Sequence, residues 1–412
     1  MIAPDQQQSA RTQTLAPPST APAPAPTVRS EPLTFPSWPQ YGQEERRGLM
    51  RVLDQDGWWR MAGSEVDLFE REFAGYSGAP HAIGTSTGTH ALELALGVLG
   101  VRPGDEVLLP AFTFISCSLA VQRLGAIPVP VDVLPNTYCL DVEAAAALVG
   151  ARTRVVMPVH LAGQLVDMDA LMSLAGATGI AILQDAAHAH GARWRGRRVG
   201  EFGTCAAFSF QNGKLMTAGE GGALLLPDDE TAERAYLQHS CGRPADDRVY
   251  RHLTQGSNYR MNEFSASVLR GQLSRLDSQI LLREQRWARL RTALAAIPGV
   301  VPQDQDPRVD QNSHYMAMIR IPRLGGDRRQ RIVNALNARG VPAFVAFPPV
   351  YQTDSFWIGP TREDRQAIAA RCPVSEEIGR DCIWFHHRVL LADEPVLDRM
   401  VDVVAENLAQ AG

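Results

Sequence analysis

Lysine and arginine together number 40 in the 412-residue chain, and a single one of them, Lys214, is lysine. Arginine stays charged at any reachable pH. A lysine can be neutralised by burial and neighbours, and can then act as a nucleophile or base. Genomic base composition that stripped lysines and spared one by chance would give the same count. Against that, Lys214 ends Phe208-Ser209-Phe210-Gln211-Asn212-Gly213-Lys214 and is followed by Gly219-Glu220-Gly221-Gly222. Glycines mark a loop in which backbone shape matters, and exchange for arginine stopped there.

Three further groups stand where a strand gives way to a loop or helix, the places where open parallel sheets collect their functional side chains. Thr85-Ser86-Thr87-Gly88-Thr89 precedes a helix. Its amides and hydroxyls suit a phosphate, or equally an ordinary N-cap turn. Phe112-Thr113-Phe114 follows Pro110, as a stacking platform or simply as core. Asp185 ends an apolar strand and opens Ala186-Ala187-His188-Ala189-His190. A carboxylate there costs several kcal/mol if buried alone, so a partner is expected. His188, His190 or a nearby arginine would serve, and so would a ring nitrogen that must stay protonated. Taken jointly, a phosphate-binding helix start, an aromatic platform, a buried aspartate and an activatable lysine are the groups that hold pyridoxal 5'-phosphate.

The elements that position these groups are short and regular. Glu106–Pro110, Ile127–Val131, Arg154–Val159 and Ile180–Gln184 read as strands, as do Cys205–Ser209 and Gly222–Leu226 on either side of the lysine loop. Helical stretches alternate with them: Gly88–Leu99, Ile115–Leu124, Asp141–Leu148 and Asp167–Thr178. Val/Ile/Leu strands alternating with helices predict an α/β fold with a mostly parallel sheet covered on both faces. Ser64 with Asp67 reads as a variant capping box before a helix with Val66, Phe69 and Phe73 on one face. Beyond Asn262 a long helix carries Leu269, Leu273, Leu276 and Ile280 on one stripe. A smaller unit follows, with strands at His314–Ile321 and Pro342–Phe347 and helices at Arg328–Arg339 and Glu394–Ala409. The expected organisation is a disordered Pro/Ala-rich tail over 1–30, a large domain over 31–262, a connecting helix over 263–298 and a small C-terminal domain over 299–412.

Composition excludes several classes. A net charge of −5 gives no general attraction to nucleic acid or to an anionic membrane. The one basic run, Arg193-Trp194-Arg195-Gly196-Arg197-Arg198, reads as a solvated hairpin about Gly196. The cysteines form no CxxC, and no His/Cys cluster has metal spacing, so no metal is expected. Neither an apolar run long enough for a membrane span nor an apolar signal core is present, and the expected location is cytoplasmic.

Thr87-Gly88-Thr89, Pro103-Gly104-Asp105-Glu106-Val107, Gln184-Asp185-Ala186-Ala187-His188 and Lys214 with Gly219-Glu220-Gly221-Gly222 resemble the motifs of the DegT/DnrJ/EryC1/StrS sugar-aminotransferase family, from about Phe35 to Ala409. That resemblance implies the type I fold of pyridoxal-phosphate enzymes, a large domain with a mostly parallel seven-stranded sheet plus a smaller C-terminal α/β domain. It implies Lys214 as the catalytic Schiff-base lysine, Asp185 on the pyridine nitrogen and Phe114 stacked on the ring. Gly88, Thr89 and Ser209 would hold the phosphate, and His188 would lie near the ring hydroxyl. Asn258 would reach the phosphate of a neighbouring subunit, which places the active sites at a homodimer interface.

Gly57-Trp58-Trp59-Arg60-Met61, the stretch from Phe208 to Met216, Asn312-Ser313-His314-Tyr315-Met316 and His386-His387-Arg388-Val389-Leu390-Leu391 are most similar to the family's 3-amino-5-hydroxybenzoate synthase branch. Two departures are the long N-terminal tail and Ser86-Thr87 before Gly88. The branch implies dehydration and aromatisation of 5-amino-5-deoxy-3-dehydroshikimate to 3-amino-5-hydroxybenzoate, a starter unit of ansamycin-type antibiotics. The substrate carboxylate wants a cationic fork, for which Arg60, Arg243 and Arg388 are candidates by residue type, with His314, Tyr315 and His387 as candidate pocket wall. The rival within the family is an aminotransferase that moves an amine from glutamine or glutamate to a keto-sugar nucleotide or keto-cyclitol supplied by a partner oxidoreductase. A rival from another class is a non-catalytic regulator on the same fold, against which the intact Lys214 and Asp185 argue.

Overall fold

In the computed structural model, which describes residues 31–245, 247–356 and 364–410, the alternating strands close into one seven-stranded sheet. Its order is His81–Thr85, Gly222–Leu226, Cys205–Ser209, Ala181–Asp185, Thr153–Val156, Glu106–Pro110, Ile127–Val131. Only Gly222–Leu226 runs against the rest. Successive residues of each strand point to opposite faces, as the pleat requires. Leu108, Val156, Ile182 and Ala206 therefore enter one core, and Val107, Val155, Leu183 and Cys205 enter the other. Both faces are buried, which explains the continuous apolar runs in the sequence.

A second sheet of four strands is antiparallel, in the order Val301–Pro302, Met316–Arg320, Cys382–His386, Ala343–Val345. Helices Leu276–Ala295, Gly326–Ala338 and Glu394–Gln410 supply Leu290, Leu294, Leu336 and Met400 to its core beside Ile319 and Phe385. Fully burying side chains of this kind contributes about 1.5–3 kcal/mol each.

Several expectations need correction. The predicted long helix is two, Glu263–Leu273 and Leu276–Ala295. The apolar stripe runs through the break, with Leu269, Leu276 and Ile280 buried on either side, so periodicity alone cannot reveal it. Ser64 precedes the helix Glu65–Ser77, but its side chain caps nothing. The amides of Glu65 and Val66 donate instead to the Glu263 carboxylate, at 2.6 and 3.3 Å. A charged acceptor from a distant helix outcompetes the local hydroxyl. The basic run does form a hairpin, with Arg193–Trp194 paired antiparallel to Arg197–Arg198 about a left-handed Gly196. The tail assigned to 1–30 lies outside the described residues. Among the described residues no helix is long and apolar enough to cross a membrane, and no cluster of metal-ligating side chains occurs.

Candidate active site

The strands Ala181–Asp185 and Cys205–Ser209 are parallel neighbours with Asp185 opposite Ala207, so their last residues, Asp185 and Ser209, emerge at the same edge of the sheet. Phe114 follows Glu106–Pro110 at the same edge, and Thr87 caps the helix Gly88–Val98 beside it. These ends open on a cavity of about 420 Å³, within the usual range for a small-molecule site. Gly88, Thr89, Phe114, Asp185, His188, Ser209 and Lys214 all line it. Asn258 does not: it is exposed, and its side-chain oxygen accepts from the Arg260 amide at 3.4 Å.

Asp185 has neutral partners. One carboxylate oxygen accepts from the Cys117 thiol at 3.0 Å and the other from the Ala187 amide at 3.0 Å. Burial and the Asp185 charge push the Cys117 thiol well above its usual range, which keeps it a donor. Neither His188 nor His190 is the partner that a merely structural aspartate would have taken. The Ala162 amide donates to His188 Nδ1 at 3.3 Å, leaving Nε2 to carry the ring proton. Burial, with Lys214 and His190 adding to it, holds His188 well below the ordinary imidazole range, so this ring is neutral. His190 packs edge-on against Phe208 and is held down to about 3, chiefly by burial.

At the other end of the cavity two glycines let three strands of backbone crowd together. A Cβ on Gly88 would lie 2.6 Å from the Ser209 Cβ, and one on Gly222 would lie 2.3 Å from the Thr87 carbonyl oxygen. The Thr87 hydroxyl accepts from the His90 amide at 3.0 Å, which fixes the helix start and leaves the first amides to the cavity. Thr89 Oγ1 donates to Ser116 Oγ at 3.0 Å.

Lys214 reaches back under Tyr315, with Nζ 4.4 Å from the ring centroid, and Tyr315 in turn stacks on His188 at 4.2 Å. Tyr315 arrives there because its own segment is tied to the large sheet. The Tyr315 amide donates to the Ala162 carbonyl at 3.0 Å, and the Ser313 hydroxyl donates to the His188 carbonyl. His314 takes a left-handed conformation, φ 52°, to make that turn, a strain of about 1–3 kcal/mol for a residue with a Cβ.

Of the residues singled out for a substrate carboxylate, none lines the cavity. Arg60 is buried against Glu70. Arg243 pairs with Asp247 at 3.2 Å. Arg388 is half-buried beside His386. Tyr315 is a wall of the cavity, whereas His314 and His387 lie behind it. Phe347, Trp384, Gln211 and Glu220 line the cavity and were not foreseen. Phe347 sits edge-on to Phe114 with ring centroids 5.8 Å apart, and Trp384 stacks on Phe344 with its indole N–H on the Val345 carbonyl. Glu220 stood in the glycine run already noted, but no spacing in the sequence joins Phe347 or Trp384 to the lysine.

Comparison with known proteins agrees with this architecture. The model of the DegT/DnrJ/EryC1/StrS aminotransferase family matches residues 40–405. A 3-amino-5-hydroxybenzoate synthase of Amycolatopsis mediterranei (strain S699) is 60% identical over 380 residues, covering 92% of this chain and 98% of that protein. A crystal structure of 3-amino-5-hydroxybenzoic acid synthase superposes with a TM-score of 0.91 at 59% identity, covering 92% of this chain and all of that one (100%). A putative L-glutamine:3-amino-2,3-dideoxy-scyllo-inosose aminotransferase of Streptoalloteichus tenebrarius is 34% identical, covering 92% of this chain and 95% of that protein. The chain belongs to the DegT/DnrJ/EryC1/StrS aminotransferase family.

Proposed function

We propose that this family member converts 5-amino-5-deoxy-3-dehydroshikimate into 3-amino-5-hydroxybenzoate, with pyridoxal 5'-phosphate held in the cavity between Gly88 and Asp185. The observation that carries the reading is the near-full-length identity to a 3-amino-5-hydroxybenzoate synthase, well above that to the amino-cyclitol transaminase.

The residues fit the cofactor on two counts. A buried carboxylate with only neutral donors faces the cavity from its floor, as a protonated pyridine nitrogen requires. A helix start opens on the far end, where a side chain at Gly88 would fill the cradle. Gly88, Thr89 and Ser209 would hold the phosphate, Phe114 would lie against the ring, and His188 would offer Nε2–H to the ring hydroxyl. Lys214 Nζ, with no ion pair or hydrogen bond to any described residue, is the amine that meets the cofactor aldehyde.

Bound there, pyridoxal phosphate supplies an electron sink that makes the proton on the substrate's amine-bearing carbon removable. Lys214 Nζ takes that proton. As an ammonium it then carries one for the hydroxyl on the adjacent carbon, which departs as water. A proton then leaves the ring CH2 as the ring ketone oxygen gains one, which makes the phenol hydroxyl of the aromatic product. One water is the whole difference between substrate and product, so no oxidant or reductant enters the balance. Tyr315, Phe347 and Trp384 wall the cavity against bulk water and offer apolar faces to a flat six-membered ring.

A homodimer is part of this proposal. Asn258 is displayed outside the cavity, and the same stretch of chain exposes Val249, Tyr250 and Leu253 at 73%, 73% and 60%. Side chains of this kind are costly to leave in water and suit an interface.

The test is a paired incubation of the purified protein with added cofactor. Aminodehydroshikimate alone should give 3-amino-5-hydroxybenzoate with no amino donor present. Turnover only with glutamine or glutamate and a keto-sugar nucleotide or keto-cyclitol, the ketone that a partner oxidoreductase would make, would replace this reading with the aminotransferase one.

A further inference from the structure

We propose that Trp38, Arg283 and His387 form a clamp that sets the position of Lys214, acting as positioning residues on the backbone immediately before it. The inference rests on the reading of Lys214 given above and adds three residues that never touch the cavity.

The three come from distant parts of the chain and converge on two successive carbonyls. Trp38 Nε1 donates to the Asn212 carbonyl at 3.0 Å, and His387 Nε2 donates to the Gly213 carbonyl at 3.1 Å. The Trp38 and His387 rings meet edge to face at 4.5 Å, so the two donors also brace each other. Behind them lies Arg283, with no exposed surface, its guanidinium donating to His387 Nδ1 at 3.2 Å and lying 5.5 Å from the Trp38 ring centroid.

A guanidinium cannot accept, so its bond to Nδ1 dictates which nitrogen of His387 keeps the proton. That nitrogen is Nε2, the one facing Gly213. Arg283, His386 and His190 oppose a second proton, while the Gly213 carbonyl that accepts from the ring favours it. Burial, the largest influence, holds His387 well below the ordinary imidazole range. Burial also draws Arg283 down to about 9, which leaves it charged at neutral pH. A buried arginine without a carboxylate is costly, and stability alone gives no reason to keep one. Besides a bond to Gln279 Oε1 at 3.4 Å, it serves to hold His387 as a single-tautomer donor.

The clamp acts on a short turn whose flanks are anchored, Phe210 by its amide on the Gly221 carbonyl at 2.8 Å and Leu215 and Met216 by burial in the core. Gln211 to Lys214 is a tight turn, with the Lys214 amide on the Gln211 carbonyl at 2.8 Å and the Gly213 amide on Gln211 Oε1 at 2.8 Å. Two external donors on Asn212 and Gly213 fix its tilt and hence the height of Nζ under Tyr315.

The experiment compares His387→Leu, Trp38→Phe and His387→Gln with the wild type. The Gln amide can replace the imidazole N–H toward Gly213. Circular dichroism and the melting temperature of the apoproteins report the fold. Borohydride-fixed attachment of pyridoxal phosphate, sampled over time, reports how Lys214 is presented. The Leu and Phe variants should keep the fold, attach the cofactor about tenfold to a hundredfold more slowly, and lose kcat in proportion with KM little changed. His387→Gln should recover most of the loss. In apoprotein carrying ¹⁵N-histidine, His387 should show the Nε2–H tautomer. A Leu variant as fast as wild type, a Gln variant as slow as Leu, or the opposite tautomer would overturn the proposal. A wild type that takes up no cofactor would remove the reading beneath it as well.

Discussion

At Asp185 a buried carboxylate meets one thiol and one amide, an arrangement that leaves the charge uncompensated inside this chain. Two opposite consequences follow for Asp185→Asn. The Asn oxygen can keep the Ala187 amide while its NH2 faces the Cys117 sulfur, a weak acceptor, and removal of an unpaired buried charge should raise the apoprotein's stability by about 1–3 kcal/mol, read as a higher melting temperature. Turnover should fall by roughly 10²–10⁴, because nothing then keeps the ring nitrogen protonated. A variant that is both less stable and fully active would mean that the carboxylate serves the fold. Lys214→Arg should fold as the wild type and lose turnover by more than about 10⁴, since a guanidinium cannot return a proton it never releases.

At the scale of elements the interlocked turns around Gly88 and Gly222 form the proposed phosphate end. Gly88→Ala places a Cβ 2.6 Å from that of Ser209, so the two turns must part. Cofactor affinity, measured by titration of the apoprotein, should weaken by about fivefold to a hundredfold, matching the cost of roughly 1–3 kcal/mol usual for an overpacked contact. Unchanged affinity would place the phosphate elsewhere. Most of this was legible in the sequence because the signals were local. The strands Glu106–Pro110, Ile127–Val131, Cys205–Ser209 and Gly222–Leu226 fall where their apolar runs predict. Lys214, Asp185 and the Gly88 turn meet because parallel strands end at one edge. What could not be read was tertiary. The strand Cys382–His386 follows a charged helix with no turn residue between them. The break at Ser274-Arg275 holds neither glycine nor proline. The capping of Glu65 comes from Glu263, nearly 200 residues away in sequence. Trp384 enters the cavity only because the second sheet packs over the first.

For the whole molecule the buried histidines make a pH-dependent term. His160 is held down to about 4, His190, His239 and His314 to about 3, and His386 to about 4, with burial the leading cause throughout. Unfolded, each would titrate near 6.5, so between about 6.5 and 4 the unfolded chain binds more protons than the folded one. Folding therefore keeps its full stability above about pH 6.5 and loses it progressively as the pH falls toward 4. Melting temperatures measured across that interval should drop steeply, and a flat profile from pH 7 to 4 would mean that these rings titrate normally in the fold. His190 from this set, with the likewise depressed His188 and His387, lies about the lysine loop, so acid should loosen the site and the fold together.

Because Lys214 is the only lysine in the sequence, one digestion tests the central claim. A lysine-specific endoprotease cuts the unmodified denatured chain once, after Lys214, giving two fragments. Holoprotein treated with borohydride and then denatured should resist that cut and remain a single chain, with the cofactor's mass added. Two fragments in the same yield as from untreated protein would contradict the account.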